Sequence, residues 1–296
     1  MSVRSWLLWS LMVPLAASST LAGEKLDVFV SIAPQAYLVE RIGGEHVRVE
    51  VLVREGQSPH TYQATPRQMV RLGEADLYFS IGVDFERALL PRVTRTFPDL
   101  RVIDSRAGIP LRRLEVNHVC THEDGHHHHE HAAGGEDPHV WMSPRLAKTI
   151  AKNISTALEA ADPEHADAYR AGLAALHADL DRTRREIAEV LAPVKGERVY
   201  VFHPAFGYFL DEFGLRQVAV EIEGKQPSAR QLVRLIEQAR QDKVHVIFVQ
   251  PQFSPKSAEA IAEAIGGAVV PIDPLARAYL KNIQETAVKL KSGLTK

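Results

Sequence analysis

The feature that most constrains the fold is an alternation of short β-rich runs with helical stretches, carried through twice along the chain. In the first round, 26–31 (LDVFVS), 47–53 (VRVEVLV), 75–81 (ADLYFSI) and 101–104 read as strands, with helices at 35–42, 66–73 and 84–96. In the second round, strands fall at 198–202 (RVYVF), 217–222 (QVAVEI), 244–250 (VHVIFVQ) and 268–272 (AVVPI). Helices at 204–213, 228–242, 255–265 and 277–290 accompany them. Alternation of this kind is the signature of helices layered on a parallel sheet. The expected fold class is therefore α/β, with two four-stranded parallel-sheet lobes and a cleft between them.

A helix at 144–160 and a longer one at 162–191 separate the two rounds. Asp162 reads as the N-cap of the long helix, Pro163 as its first residue and Pro193 as its stop. Tyr169, Leu173, Leu176, Leu180, Ile187 and Val190 recur at three- and four-residue steps, with Thr183 filling one polar step, so they line one face. About 30 residues at 1.5 Å each make a rod of roughly 45 Å. A coiled-coil dimer is the competing reading, but the stripe barely covers four heptads. A rigid strut in a monomer fits better: an N-terminal lobe over 23–161, a linker helix over 162–192 and a C-terminal lobe over 193–296.

Residues 1–22 read as a secretory signal, with Arg4 in the basic region, an apolar stretch from Trp6 to Ala17 and a small-residue cleavage site at Thr20-Leu21-Ala22. The apolar run is shorter than the roughly 20 residues of a spanning helix. No cysteine follows it to carry a lipid anchor. The expected location is the periplasm. A formal net charge of −2 and a pI near 6.7 give no basic field for nucleic acid. The single cysteine, Cys120, excludes an intramolecular disulfide.

Between Asn117 and His139 the chain reads NHVCTHEDGHHHHEHAAGGEDPH, and His118, His122, His126, His127, His128, His129 and His131 crowd into it. Such a stretch buries little apolar surface and reads as a loop over 117–136. Imidazole binds zinc, copper and nickel, so these histidines are expected as accessory metal ligands whatever the fold. A solvated low-complexity loop is the plainer alternative.

Isolated histidines are more informative. His60 lies in the loop after the second strand, His203 follows the strand 198–202, and Asp273 follows the strand 268–272. Ligands of parallel α/β sheets gather beyond the carboxyl ends of strands. His139 closes the histidine-rich loop. Pro59, Pro138, Pro204 and Pro274 adjoin these four residues, and a following proline holds His203 and Asp273 in extended backbone.

Six segments in order, GQSPHTYQATPRQ (56–68), EADLYFSIG (74–82), DPHVWMSP (137–144), FHPAFGYF (202–209), EGKQPSARQL (223–232) and IDPLA (272–276), resemble the cluster A-I substrate-binding proteins of bacterial zinc and manganese ABC transporters. The resemblance spans essentially the mature chain. It implies that His60, His139, His203 and Asp273 are the metal ligands, that the long helix is the interdomain linker, and that the histidine tract is the loop of zinc-specific members. It also implies a membrane permease with its cytoplasmic ATPase as partner, and a periplasmic zinc chaperone as a further one. Manganese-selective relatives usually carry a carboxylate where this chain has His203, and nitrogen-rich coordination favours zinc, here the transported ligand Zn2+.

Three other readings compete. A zinc hydrolase would share three histidines and an open position. The chain has no His-Glu-x-x-His pattern, however, and Glu221 and Glu223 are the nearest candidates for a base, so no enzyme activity is expected. A manganese receptor and a surface adhesin or zinc buffer of the same fold complete the set.

Overall fold

The structure is a computed structural model that describes residues 25–114, 135–221 and 228–295. The signal segment, Cys120, Glu223 and the seven tract histidines lie outside the described residues.

Two four-stranded sheets form, and every ladder in them is parallel. The first holds β1 (Leu26–Ile32), β2 (Val47–Val53), β3 (Leu77–Ser80) and β4 (Arg101–Asp104) in the order β2-β1-β3-β4. The second holds β5 (Arg198–Val201), β6 (Arg216–Ala219), β7 (Val246–Val249) and β8 (Ala268–Pro271) in the order β6-β5-β7-β8. Both lobes thus repeat one winding. In each, strand order reverses beside the first strand, which opens a crevice beyond the carboxyl edge.

The central strands are apolar on both faces because helices cover both. β3 (LYFS) and β7 (VIFV) are buried along their whole length. Around the first sheet lie α1 (Ala33–Gly43), α2 (Pro66–Gly73) and α3 (Asp84–Thr96); around the second, α6 (Gly207–Glu212), α7 (Ala229–Gln241), α8 (Lys256–Ile265) and α9 (Tyr279–Leu294). Thr65 with Gln68 and Ser228 with Gln231 start α2 and α7 as capping boxes. The buried Gln35 locks the corner after β1: its Oε1 accepts from the Ser31 and Ile32 amides, and its Nε2 donates to the Phe79 and Ser80 carbonyls.

Between the lobes run α4 (Pro144–Ala161) and α5 (Ala166–Leu191). α5 is three residues shorter than its sequence pattern suggests, because Pro163–His165 forms a tight 3-10 turn. Asp162 does not cap it. Its Oδ2 instead accepts from His165 Nδ1 and from the Tyr169 hydroxyl, both at 2.6 Å, which pins the turn to the helix side. The 26 residues of α5 span roughly 39 Å. Tyr169, Leu176, Leu180, Thr183, Ile187 and Leu191 are buried, with Leu173 and Val190 half-buried beside them. At Gly172 the helix passes so close to α1 that a Cβ would lie 2.5 Å from the Ile42 carbonyl oxygen. One apolar cluster runs from β1, α1 and α4 through α5 to β5, α6 and α9. A shared core of this kind ties the lobes together and resists wide hinge opening.

In the C-terminal lobe, α6 begins at Gly207 instead of Pro204. Residues 203–206 are taken up by a turn, with the Ala205 amide bonded to the His203 carbonyl and the Phe206 amide to Gln217 Oε1. No described helix is long and apolar enough to cross a membrane.

Candidate metal centre

Three loops at carboxyl ends of strands bring His60, His139 and His203 to one cleft. His203 follows β5 directly, and Gln250, at the end of β7, clamps it by accepting from its amide and donating to its carbonyl. His139 sits where the chain re-enters before α4. His60 reaches over from the loop after β2. Nε2 of His203 lies 3.1 Å from Nε2 of His60 and 3.3 Å from Nε2 of His139. The side chains are 30%, 7% and 5% exposed for His60, His139 and His203, so the cleft is open at His60 and closed at the other two.

The opposite nitrogen of every ring meets a carboxylate. His60 Nδ1 is 2.6 Å from Asp84 Oδ2, His139 Nδ1 is 2.7 Å from Asp137 Oδ1, and His203 Nδ1 is 2.5 Å from Glu221 Oε1. A carboxylate can only accept, so each Nδ1 carries the hydrogen, and in the neutral tautomer of such a ring the Nε2 lone pair points to the centre. Three lone pairs facing one another repel. A cation between them removes the repulsion, and ligands about 2.0–2.1 Å from zinc stand roughly 3.3 Å apart in a tetrahedron. The two nitrogen separations match that edge. Among the described residues no group of three or more His, Cys, Asp or Glu side chains already surrounds one point as a closed ligand set; the imidazoles meet as two pairs through His203.

Asp273, the fourth candidate, stands at the rim. Its Oδ1 accepts from Gln252 Nε2 and from the Leu275 amide, and no hydrogen bond among the described residues joins it to the histidines. Its neighbours Pro274 and Leu275 do line the cleft. Phe253 stacks on the His203 ring at 4.9 Å and covers the centre. Only about 30 Å³ is open to a water-sized occupant, against roughly 300–1,000 Å³ for pockets that hold organic ligands. An ion fits; an organic substrate does not.

Asp84, Asp137, Gln250 and Phe253 escaped the sequence reading. Asp137 could have been found two residues before His139, and Asp84 as the first residue of the helix after β3. Gln250 and Phe253 carry no local signal, since their partner lies about 50 residues away.

Burial pushes the His203 pKa down to about 4, helped by the neighbouring His139 and His60 and opposed by Glu221. Hydrogen bonding to His60 holds Asp84 below its ordinary range. An unfolded histidine titrates near 6.5, so as pH falls from there towards about 4 the unfolded chain takes the proton first. The metal-free protein should therefore lose stability across that window and gain nothing from this group above it. Melting temperatures of metal-free wild type and His203→Asn at pH 7 and pH 5 test this: the wild type should fall further, and equal falls would refute it.

The sequence and the fold both have relatives. The high-affinity zinc uptake system protein ZnuA of Yersinia pestis is 30% identical over 265 residues, 84% of this chain and 82% of that protein. A crystal structure of ZnuA superposes with a TM-score of 0.83 at 37% identity, covering 92% of this chain and 100% of the other. A ZnuA deletion mutant with zinc bound matches equally well, at a TM-score of 0.83 and 37% identity over 92% and 99% of the two chains. The match to the family described as zinc-uptake complex component A, periplasmic, runs over residues 28–293, and the chain belongs to this ZnuA family.

Proposed function

We propose that the protein is a periplasmic receptor that captures Zn2+ through His60, His139 and His203, with Asp273 as the fourth donor, and hands it to an ABC permease and its ATPase for import. The observation that carries this reading is the convergence of three Nε2 lone pairs at 3.1 and 3.3 Å, each fixed by a carboxylate behind its ring. Membership of a zinc-uptake family supports the same cargo. His203, where manganese-selective relatives usually have a carboxylate, favours zinc over manganese. Asp273 follows β8 and adjoins Pro274 and Leu275, which line the cleft, and this placement supports its carboxylate as the fourth donor.

Catalysis is not part of this reading. The carboxylates nearest the centre, Asp84, Asp137 and Glu221, each accept from an imidazole Nδ1, and this reading assigns them to holding the rings. The small cleft also excludes an ester or peptide.

The tract histidines 118, 122, 126–129 and 131 serve in this scheme as an accessory collector. Competition titration against a chromophoric zinc chelator, with the mature chain and with a variant lacking residues 118–131, separates the two roles. One tight zinc equivalent should persist in both proteins, and weaker equivalents should vanish with the deletion. Loss of the tight equivalent would overturn the division.

A further inference from the structure

Zinc selection rests on that reading of the three histidines, but histidine alone also binds copper well. What distinguishes this centre is that an acidic side chain stands behind each ring. Asp84 is 48% exposed at the open edge, whereas Asp137 and Glu221 are buried, at 0% and 3%. The Arg112 guanidinium lies 3.7 Å from Asp137 Oδ2 and offsets part of that charge. Glu221 instead faces His203, the ring at the middle of the centre.

We infer that Asp84, Asp137 and Glu221 act as positioning residues that choose the ion by its charge: they hold each Nε2 toward the centre and supply an anionic field that favours a divalent over a monovalent cation. The field of a fixed anion acts on an ion in proportion to the ion's charge. It therefore strengthens Zn2+ binding by twice the free energy it adds for Cu+. A soft monovalent ion, which imidazoles bind readily, falls furthest behind a divalent one where the anions are closest and driest.

The test measures Zn2+ and Cu+ affinities of Glu221→Gln and Asp84→Asn by chelator competition, Cu+ under anaerobic reducing conditions. An amide still accepts the Nδ1 hydrogen bond but carries no charge. Removing an outer partner of this kind typically costs 10–100-fold in metal affinity. Glu221→Gln should thus weaken Zn2+ binding about 10–100-fold and Cu+ by roughly the square root of that factor, about 3–10-fold. Asp84→Asn should show the same ordering with a smaller loss, and its half-exposed side chain makes a folding defect less of a concern. Tetrahedral Co2+ absorption retained in both variants would show that the ligand geometry survives. Equal losses for the two ions, or unchanged Zn2+ affinity, would overturn the inference. A wild-type protein without a tight zinc site would instead overturn the reading of the three histidines on which it rests.

Discussion

His203→Ala should lower zinc affinity on the order of a thousandfold, the largest loss from any single ligand. His203 is the middle ring: its Nε2 takes part in both close nitrogen contacts, whereas His60 and His139 each take part in one. Its backbone is held on both sides by Gln250 and its ring by Phe253. Removing the ring also strips Glu221 of its hydrogen-bond partner in a buried setting, a loss of about 1.5–3 kcal/mol. His203→Gln separates the two effects, because its amide can donate to Glu221 yet offers no imidazole nitrogen. The glutamine variant should bind zinc nearly as poorly as the alanine variant and melt at a higher temperature. Chelator competition and thermal melts of both decide it; an alanine variant within tenfold of wild type would place the centre elsewhere.

The convergence of the three histidines was legible because they sit beyond strand ends, and strand ends are what an alternating α/β pattern reveals best. β2, α2, α3 and β4 fall where the residue pattern puts them, since capping signals and apolar runs act locally. The start of α6 was not legible. Pro204 is a good first helical residue by its own chemistry, but the turn that presents His203 uses residues 203–206. Asp162 failed similarly as a cap, because Tyr169 and His165 compete for its carboxylate once the helix has packed. Two of the three carboxylates behind the rings sit at distances in sequence that only the fold shortens. Glu221 lies 18 residues from His203, and Asp84 lies 24 from His60. Charged residues at such spacing are indistinguishable from solvated ones until the two sheets fix which loops face each other.

Trp141→Ala should be the most disruptive substitution for stability, and its effect should extend to zinc. Trp141 lies in the 3-10 turn Val140–Met142, directly after His139, and is only 1% exposed. Its Nε1 donates to the Pro274 carbonyl at 2.8 Å, and its own carbonyl accepts from the Tyr279 hydroxyl at 2.6 Å. Both partners belong to the C-terminal lobe, so one side chain ties the His139 loop to the segment that carries Asp273. Asn282 Nδ2 donates to the Asp273 carbonyl and holds that segment from the other side. Truncating a buried tryptophan to alanine costs about 3–5 kcal/mol, equivalent here to a melting temperature lower by roughly 10 °C. Trp141→Phe keeps most of the packing but loses the bond to Pro274, at a cost of about 1 kcal/mol and a few degrees. With the tether gone, the Asp273 segment is held from the Asn282 side alone, so Trp141→Phe should also weaken zinc binding several-fold beyond its effect on folding. Zinc bound only to the native state raises the melting temperature in proportion to the logarithm of its affinity, so melts with and without zinc report both losses at once. A phenylalanine variant that melts lower without zinc yet gains as many degrees from zinc as wild type would confine Trp141 to packing and detach it from the metal centre.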